Sequence, residues 1–111
     1  MNRPPTIGDK AALVRSKNAG PFWLTLDIFC DDVDDYNAIA APGVITAERV
    51  AALYRVDASA IEIFRLDAIR AIKISFPRPN TQGGVRDRDM HAGQQHVPIM
   101  QLPVSAEPGH A

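Results

Sequence analysis

The sequence holds a single cysteine, Cys30, so no disulfide can form within the chain. It also has no surplus of one charge. The formal net charge is -1, far from the strongly basic balance that draws a protein onto nucleic acid or an anionic membrane. Continuous apolar runs are short, well below the roughly 20 residues needed to cross a bilayer. No charged segment followed by an apolar stretch opens the chain, and with the lone cysteine this makes a cytoplasmic protein the expectation.

What is present suits one packed domain. A length of 111 residues allows one hydrophobic core but not two, and a hydrophobic share of 46% with 23% charged residues is that of an ordinary globular chain. The expected organisation is a flexible lead over residues 1–6, a single α+β domain over 7–104 and a flexible tail over 105–111.

Thr6 is a helix-capping residue, and Ile7, Ala11 and Val14 follow at helical spacing. The run from Ala11 to Val14 also suits a strand; helix is the reading adopted. Residues 15–21, with Asn18, Gly20 and Pro21, predict a turn. Residues 22–30 then alternate strictly, with Leu24, Leu26, Ile28 and Cys30 on one face and Trp23, Thr25, Asp27 and Phe29 on the other, the clearest strand in the sequence. Asp31 and Asp32 cap a helix through Tyr36 and Ile39 that stops near Pro42 and Gly43. Thr46 caps the next, with Val50, Leu53 and Tyr54 as its apolar stripe.

Residues 60–66 and 69–76 are β-branched runs separated by Asp67 and Ala68, which predicts an antiparallel hairpin without the usual glycine. In its second strand Ile72, Ile74 and Phe76 should face the helices, with Lys73 and Ser75 on the reverse side beside Thr25 and Asp27. Residues 77–95 read as a long loop, and residues 97–104 as a returning edge strand, where Pro98 and Pro103 are tolerated. The whole describes a two-layer sandwich, a mostly antiparallel sheet covered by helices on one face, in a ferredoxin-like arrangement. Trp23, Phe29 and either Ile61 or Phe64 make the other face too apolar to stay fully wet, so a homo-oligomer formed through it is expected.

Three clusters carry candidate chemistry. Arg15, Ser16, Lys17, Asn18 and Gly20 offer cations, a hydroxyl and an adaptable backbone for a carboxylate or phosphate, although short basic turns are commonly just solvated. Gly83, Gly84, Arg86, Arg88 and His91 could form a lid over a ligand, or an ordinary surface loop. Gln94, Gln95 and His96 bring amide donors and an imidazole to the point where the chain re-enters the fold, and His96 is the candidate proton-transfer group. A metal site from His91, His96 and Asp87 or Asp89 matches no standard ligand spacing, so neither a metal nor a cofactor is assigned. Cys30, among the leucines, reads as a buried hydrophobe, and the acidic run Asp31, Asp32, Asp34 and Asp35 as helix capping.

The stretch from Arg15 to Asp27, with Arg70 to Lys73 and Gly93 to His96, resembles a family of small bacterial proteins of unknown function that accompany larger proteins similar to AtuA, the acyclic terpene utilisation protein. The likeness extends over nearly the whole chain, from Ile7 to Val104. This family resembles the small, ferredoxin-like C-terminal domain of some AtuA proteins, which carries an Arg-Ser turn matched here by Arg15 and Ser16. Its Gly-Asp-Lys-Gly continuation is replaced by Lys17-Asn18-Ala19-Gly20.

The resemblance implies an AtuA-like large subunit as partner and a link to catabolism of organic acids or acyl-CoA thioesters; it identifies no reaction, and the leading expectation is an accessory subunit that serves as a hydratase or lyase component. On that reading Arg15, Lys17 and Lys73 would hold the anion, Asn18, Gln94 and Gln95 would orient it, Ser16 and Gly20 would complete the substrate-binding set and His96 would move the proton. The alternative is a non-catalytic module that binds or senses a small carboxylate. Both require residues 15–20 and 93–96 to meet.

Overall fold

A computed structural model describes residues 4–20, 22–77 and 95–104. The expected loop over 77–95, with Gln94 and all of its lid and metal candidates, and the tail over 105–111 lie outside the described residues, apart from Pro77 and Gln95.

The elements run α1 (Ile7–Lys10), β1 (Leu13–Asn18), β2 (Trp23–Phe29), α2 (Val33–Ala40), α3 (Ala47–Tyr54), β3 (Glu62–Leu66), β4 (Ala71–Pro77) and α4 (Val97–Met100). The four strands form one antiparallel sheet in the order β1-β2-β4-β3. The chain thus folds as α+β, a hairpin, two helices and a second hairpin laid beside the first. The βαββαβ succession of a ferredoxin-like fold is not shown, because β1 joins β2 directly and only a 3₁₀ turn (Asp67–Ile69) joins β3 to β4.

Alternation sets the two faces of this sheet. Leu24, Leu26, Ile28, Ile72, Ile74 and Phe76 are essentially inaccessible, and Ile7, Tyr36, Ile39, Val50, Tyr54, Ile99 and Leu102 from the helical layer close over them. The capping residues expected from the sequence stand where they should. Thr6 and Asp9 form a reciprocal capping box on α1, Asp32 accepts from the Asp35 backbone N–H, and Thr46 accepts from that of Arg49. Helix α2 ends at Ala40, two residues before Pro42, and the chain turns through Gly43 at φ 87°. The Arg49 guanidinium then donates to the carbonyls of Gly43, Val44 and Pro103, fastening the interhelical turn to the end of the described chain.

Three sequence expectations are corrected. The helix begun at Ile7 lasts one turn. Leu13–Asn18 is then a strand, so Arg15 to Asn18 are not turn residues and the turn lies beyond them, through Gly20 at φ 87°. This edge strand buries little besides Val14, which leaves almost no apolar alternation to read. Residues 97–104 do not form an edge strand. Val97–Met100 is a helical turn with Pro98 in its first turn, where a missing N–H costs nothing, and only an isolated bridge pairs Pro103 with Thr6. Ile61 does not compete for the open face; it packs against the core, while Phe64 is exposed.

Between β3 and β4, Arg70 takes the left-handed conformation (φ 53°) that a glycine would more often supply. Its carbonyl accepts from the Cys30 N–H at 3.0 Å and its Nε donates to the Cys30 carbonyl, so the turn is tied to the end of β2. The Tyr36 hydroxyl donates to Asp67 in the same turn. Burial, and then this bond, push the Tyr36 phenol above its ordinary range, while the bond holds the Asp67 carboxyl below its own.

A lowered carboxylate contributes stability above the ordinary Asp range, lost as pH falls through its folded value. A raised phenol contributes below about pH 10, lost as pH rises through its folded value. The stability difference between wild type and Tyr36→Phe should therefore be greatest between about pH 5 and 9 and shrink at both extremes, as measured by urea denaturation across pH.

Candidate functional site

The sheet divides the candidate residues between its two sides. Arg15 and Lys17 on β1 and Lys73 on β4 belong to the open face, in phase with Thr25 and Asp27. Ser16 and Asn18 lie opposite Leu26 and Leu24 and share the helix-facing phase, and Gly20 sits in the turn beyond them. A Cβ at Gly20 would meet nothing, so its backbone conformation accounts for the glycine. Gln95 and His96 belong to the helical layer. The sheet therefore stands between the cations of Arg15, Lys17 and Lys73 and the imidazole of His96, whereas Ser16 and Asn18 lie on the helical side with Gln95 and His96.

On the open side the central feature is Asp27, only 6% exposed although no helix of the described residues covers it. Its carboxylate is 3.4 Å from Arg15 Nε, and the Arg15 guanidinium lies 5.2 Å from the centre of the Phe29 ring. Lys73 is its register neighbour on β4. Sequence alternation placed Asp27 on this face but gave no sign that it is buried.

On the helical side a cavity of about 700 Å³ opens between α1 and α4, lined by Thr6, Gly8, Asp9, His96, Val97, Met100 and Gln101. Gly8 is the packing device here. A Cβ at this position would stand 3.1 Å from the Met100 carbonyl oxygen and 3.2 Å from its Cβ, so a larger residue would require Met100 to give by a few tenths of an ångström. His96 lies on the wall, half-buried; its Nδ1 is shielded from solvent and has no hydrogen-bond partner among the described residues. Thr6, Asp9 and Gln101 add oxygen and amide groups to the same wall. Of this set the sequence singled out His96 for chemistry and Thr6 only as a cap; Asp9 and Gln101 were missed, and the nearest signal was a glycine inside a capped helical turn.

Tyr54 anchors this corner. Its ring packs 5.0 Å from that of Phe76, and its hydroxyl donates to the Gln95 carbonyl at 2.6 Å and accepts from the Ile99 N–H at 3.2 Å. Burial pushes the phenol far above its ordinary range, so it stays a neutral donor. Cys30 is buried and its thiol is pushed up, first by burial and then by the Asp35 and Asp31 carboxylates, which makes it a poor nucleophile. Among the described residues no group of three His, Cys, Asp or Glu side chains stands close enough to hold a metal, and no helix is long and apolar enough to cross a membrane.

Replacing Tyr54 with Phe keeps the ring and removes the hydroxyl that bonds two buried backbone groups, Gln95 C=O and Ile99 N–H. The expected loss is about 1–3 kcal/mol, read from the denaturation midpoint with far-ultraviolet dichroism unchanged.

No curated protein and no solved structure matches the chain. A family model does, over residues 7–103. The matched segment spans all four strands and both faces of the sheet, and on that ground the chain belongs to the family described as a domain of unknown function, DUF4387.

Proposed function

We propose that this chain is an accessory subunit that works with an AtuA-like large protein on an organic acid or acyl-CoA thioester, and that its contribution is the groove between α1 and α4. The observation that carries the reading is the half-buried His96 on the wall of a cavity of about 700 Å³. That volume lies within the usual range for small-molecule sites. An imidazole so placed suits the proton transfer of a hydratase or lyase, in which a proton leaves the carbon next to the carboxyl or thioester group as water departs from the neighbouring carbon. Thr6, Asp9 and Gln101 would orient polar groups of the substrate.

The counter-charge for the acid is the part supplied from outside. Arg15, Lys17 and Lys73 stand across the sheet from His96, and on this reading they are not the groups that meet the acid in the groove. A subunit completed by a larger partner accommodates this division better than a self-contained enzyme does. The AtuA-like partner itself comes from the sequence resemblance.

Co-expression with an AtuA-like large protein should yield a co-purifying complex whose thermal midpoint rises with an organic acid or CoA thioester, by mass action. Turnover in that complex should fall at least a hundredfold with His96→Gln while the ligand-induced shift remains. If the substitution changes affinity alone, the chain is a carboxylate-binding module without chemistry. If no complex, shift or activity appears, the proposal fails.

A further inference from the structure

The open face is ordered in rows that run across all four strands. Lys17, Thr25, Ser75 and Glu62 are in register, with a cation at the β1 edge and an anion at the β3 edge. Arg15, Asp27, Lys73 and Phe64 form the next row. Leu13, Phe29, Ala71 and Leu66 form the third, wholly apolar. Leu13 is 50% exposed, Phe64 44%, Trp23 40% and Leu66 39%, a density of apolar side chains that favours a covered surface.

We infer that a second copy of this chain covers this face, with a two-fold axis that runs parallel to the strands between β2 and β4. Rotation about that axis lays β1 over the partner's β3 and β2 over the partner's β4 while each row stays opposite itself. Every charge then meets an opposite charge or an aromatic ring: Lys17 faces the partner's Glu62, Asp27 the partner's Lys73, and Arg15 the partner's Phe64. Leu13 faces the partner's Leu66. Symmetry makes each contact twice.

A face-to-face dimer with its axis across the strands, at the Arg15 row, lays every strand on its own copy. It sets Arg15 against Arg15, Asp27 against Asp27 and Lys73 against Lys73, and it leaves Lys17 and Glu62 against leucines. Like charges face to face are strongly disfavoured when desolvated, so the charge pattern selects the first axis. Packed sheets cross at about 30°, which displaces an edge strand by only about one residue at this width, within the reach of the Lys17 and Glu62 side chains.

The interface does not depend on the groove or on any large partner, so the chain alone tests it and failure would leave the functional reading untouched. Sedimentation equilibrium of the wild type should show a monomer–dimer equilibrium. Lys17→Glu and Glu62→Lys, both at exposed positions, should each weaken it at least tenfold without altering the far-ultraviolet dichroism. An equimolar mixture of the two variants should restore wild-type affinity to within about threefold, because both edge pairs become complementary again. A disulfide between Leu13→Cys and Leu66→Cys chains supports the assigned axis. A wild type that is monomeric at every concentration, charge reversals without effect, a mixture no tighter than either variant alone, or efficient self-cross-linking of Arg15→Cys would each overturn the inference.

Discussion

The pairing of β2 with β4 is the constraint from which the rest of the structure follows. Seven register pairs, from Trp23 with Pro77 to Phe29 with Ala71, fix which side chains share a face. One phase of both strands disappears beneath the helices, with Leu24, Leu26, Ile74 and Phe76 at zero exposure. A slip of one residue would carry Asp27 and Lys73 into that core and expose the aliphatic set, so the register is strongly specified. The flanking strands inherit it. β1 can place Val14 against the core only by directing Arg15 and Lys17 outward, and β3 buries the Ile63 side only by leaving Phe64 out.

The helical layer converts this two-sidedness into a division of labour. α1 and α4 are single turns that hold their positions through particular contacts: the Thr6–Asp9 capping box, the close approach of Gly8 to Met100, and the Tyr54 hydroxyl between Gln95 and Ile99. The groove is therefore built from two short helical turns, the first capped by its own side chains and the second anchored by one buried phenol. The open face is a regular lattice of side chains whose spacing the strands dictate. The proposed ligand chemistry belongs to the first surface and the inferred association to the second.

Much of this was legible in the residues. Strict alternation from Trp23 to Phe29 and the β-branched run of β4 announced the core strands and the buried phase of each. Asp32, Thr46 and Thr6 marked helix starts by the chemistry of their side chains. The failures have physical reasons. β1 carries one buried apolar residue among polar neighbours, because an edge strand needs little burial and its partner's backbone supplies the order. Val97 to Val104 is apolar and proline-containing, which suits an edge strand and a proline-started helical turn equally; packing of Ile99 and Leu102 against the core selects the turn. The site suffered most. The cations at 15, 17 and 73 and the imidazole at 96 looked like one cluster, and sequence spacing says nothing about which side of a sheet an element returns to. Asp27 was assigned to the correct face, but its burial depends on side chains from β1 and β4 that only the register brings alongside.

Separation of the two surfaces by the sheet is the central claim, and methyl-resolved nuclear magnetic resonance of the chain over a concentration series tests it most directly. Association through the open face predicts that the Leu13 and Leu66 methyl signals move with concentration while those of Leu24, Leu26 and Ile99 stay fixed. Movement of Ile99 and Met100 with concentration, while Leu13 and Leu66 remain still, would place association on the helical side and contradict it.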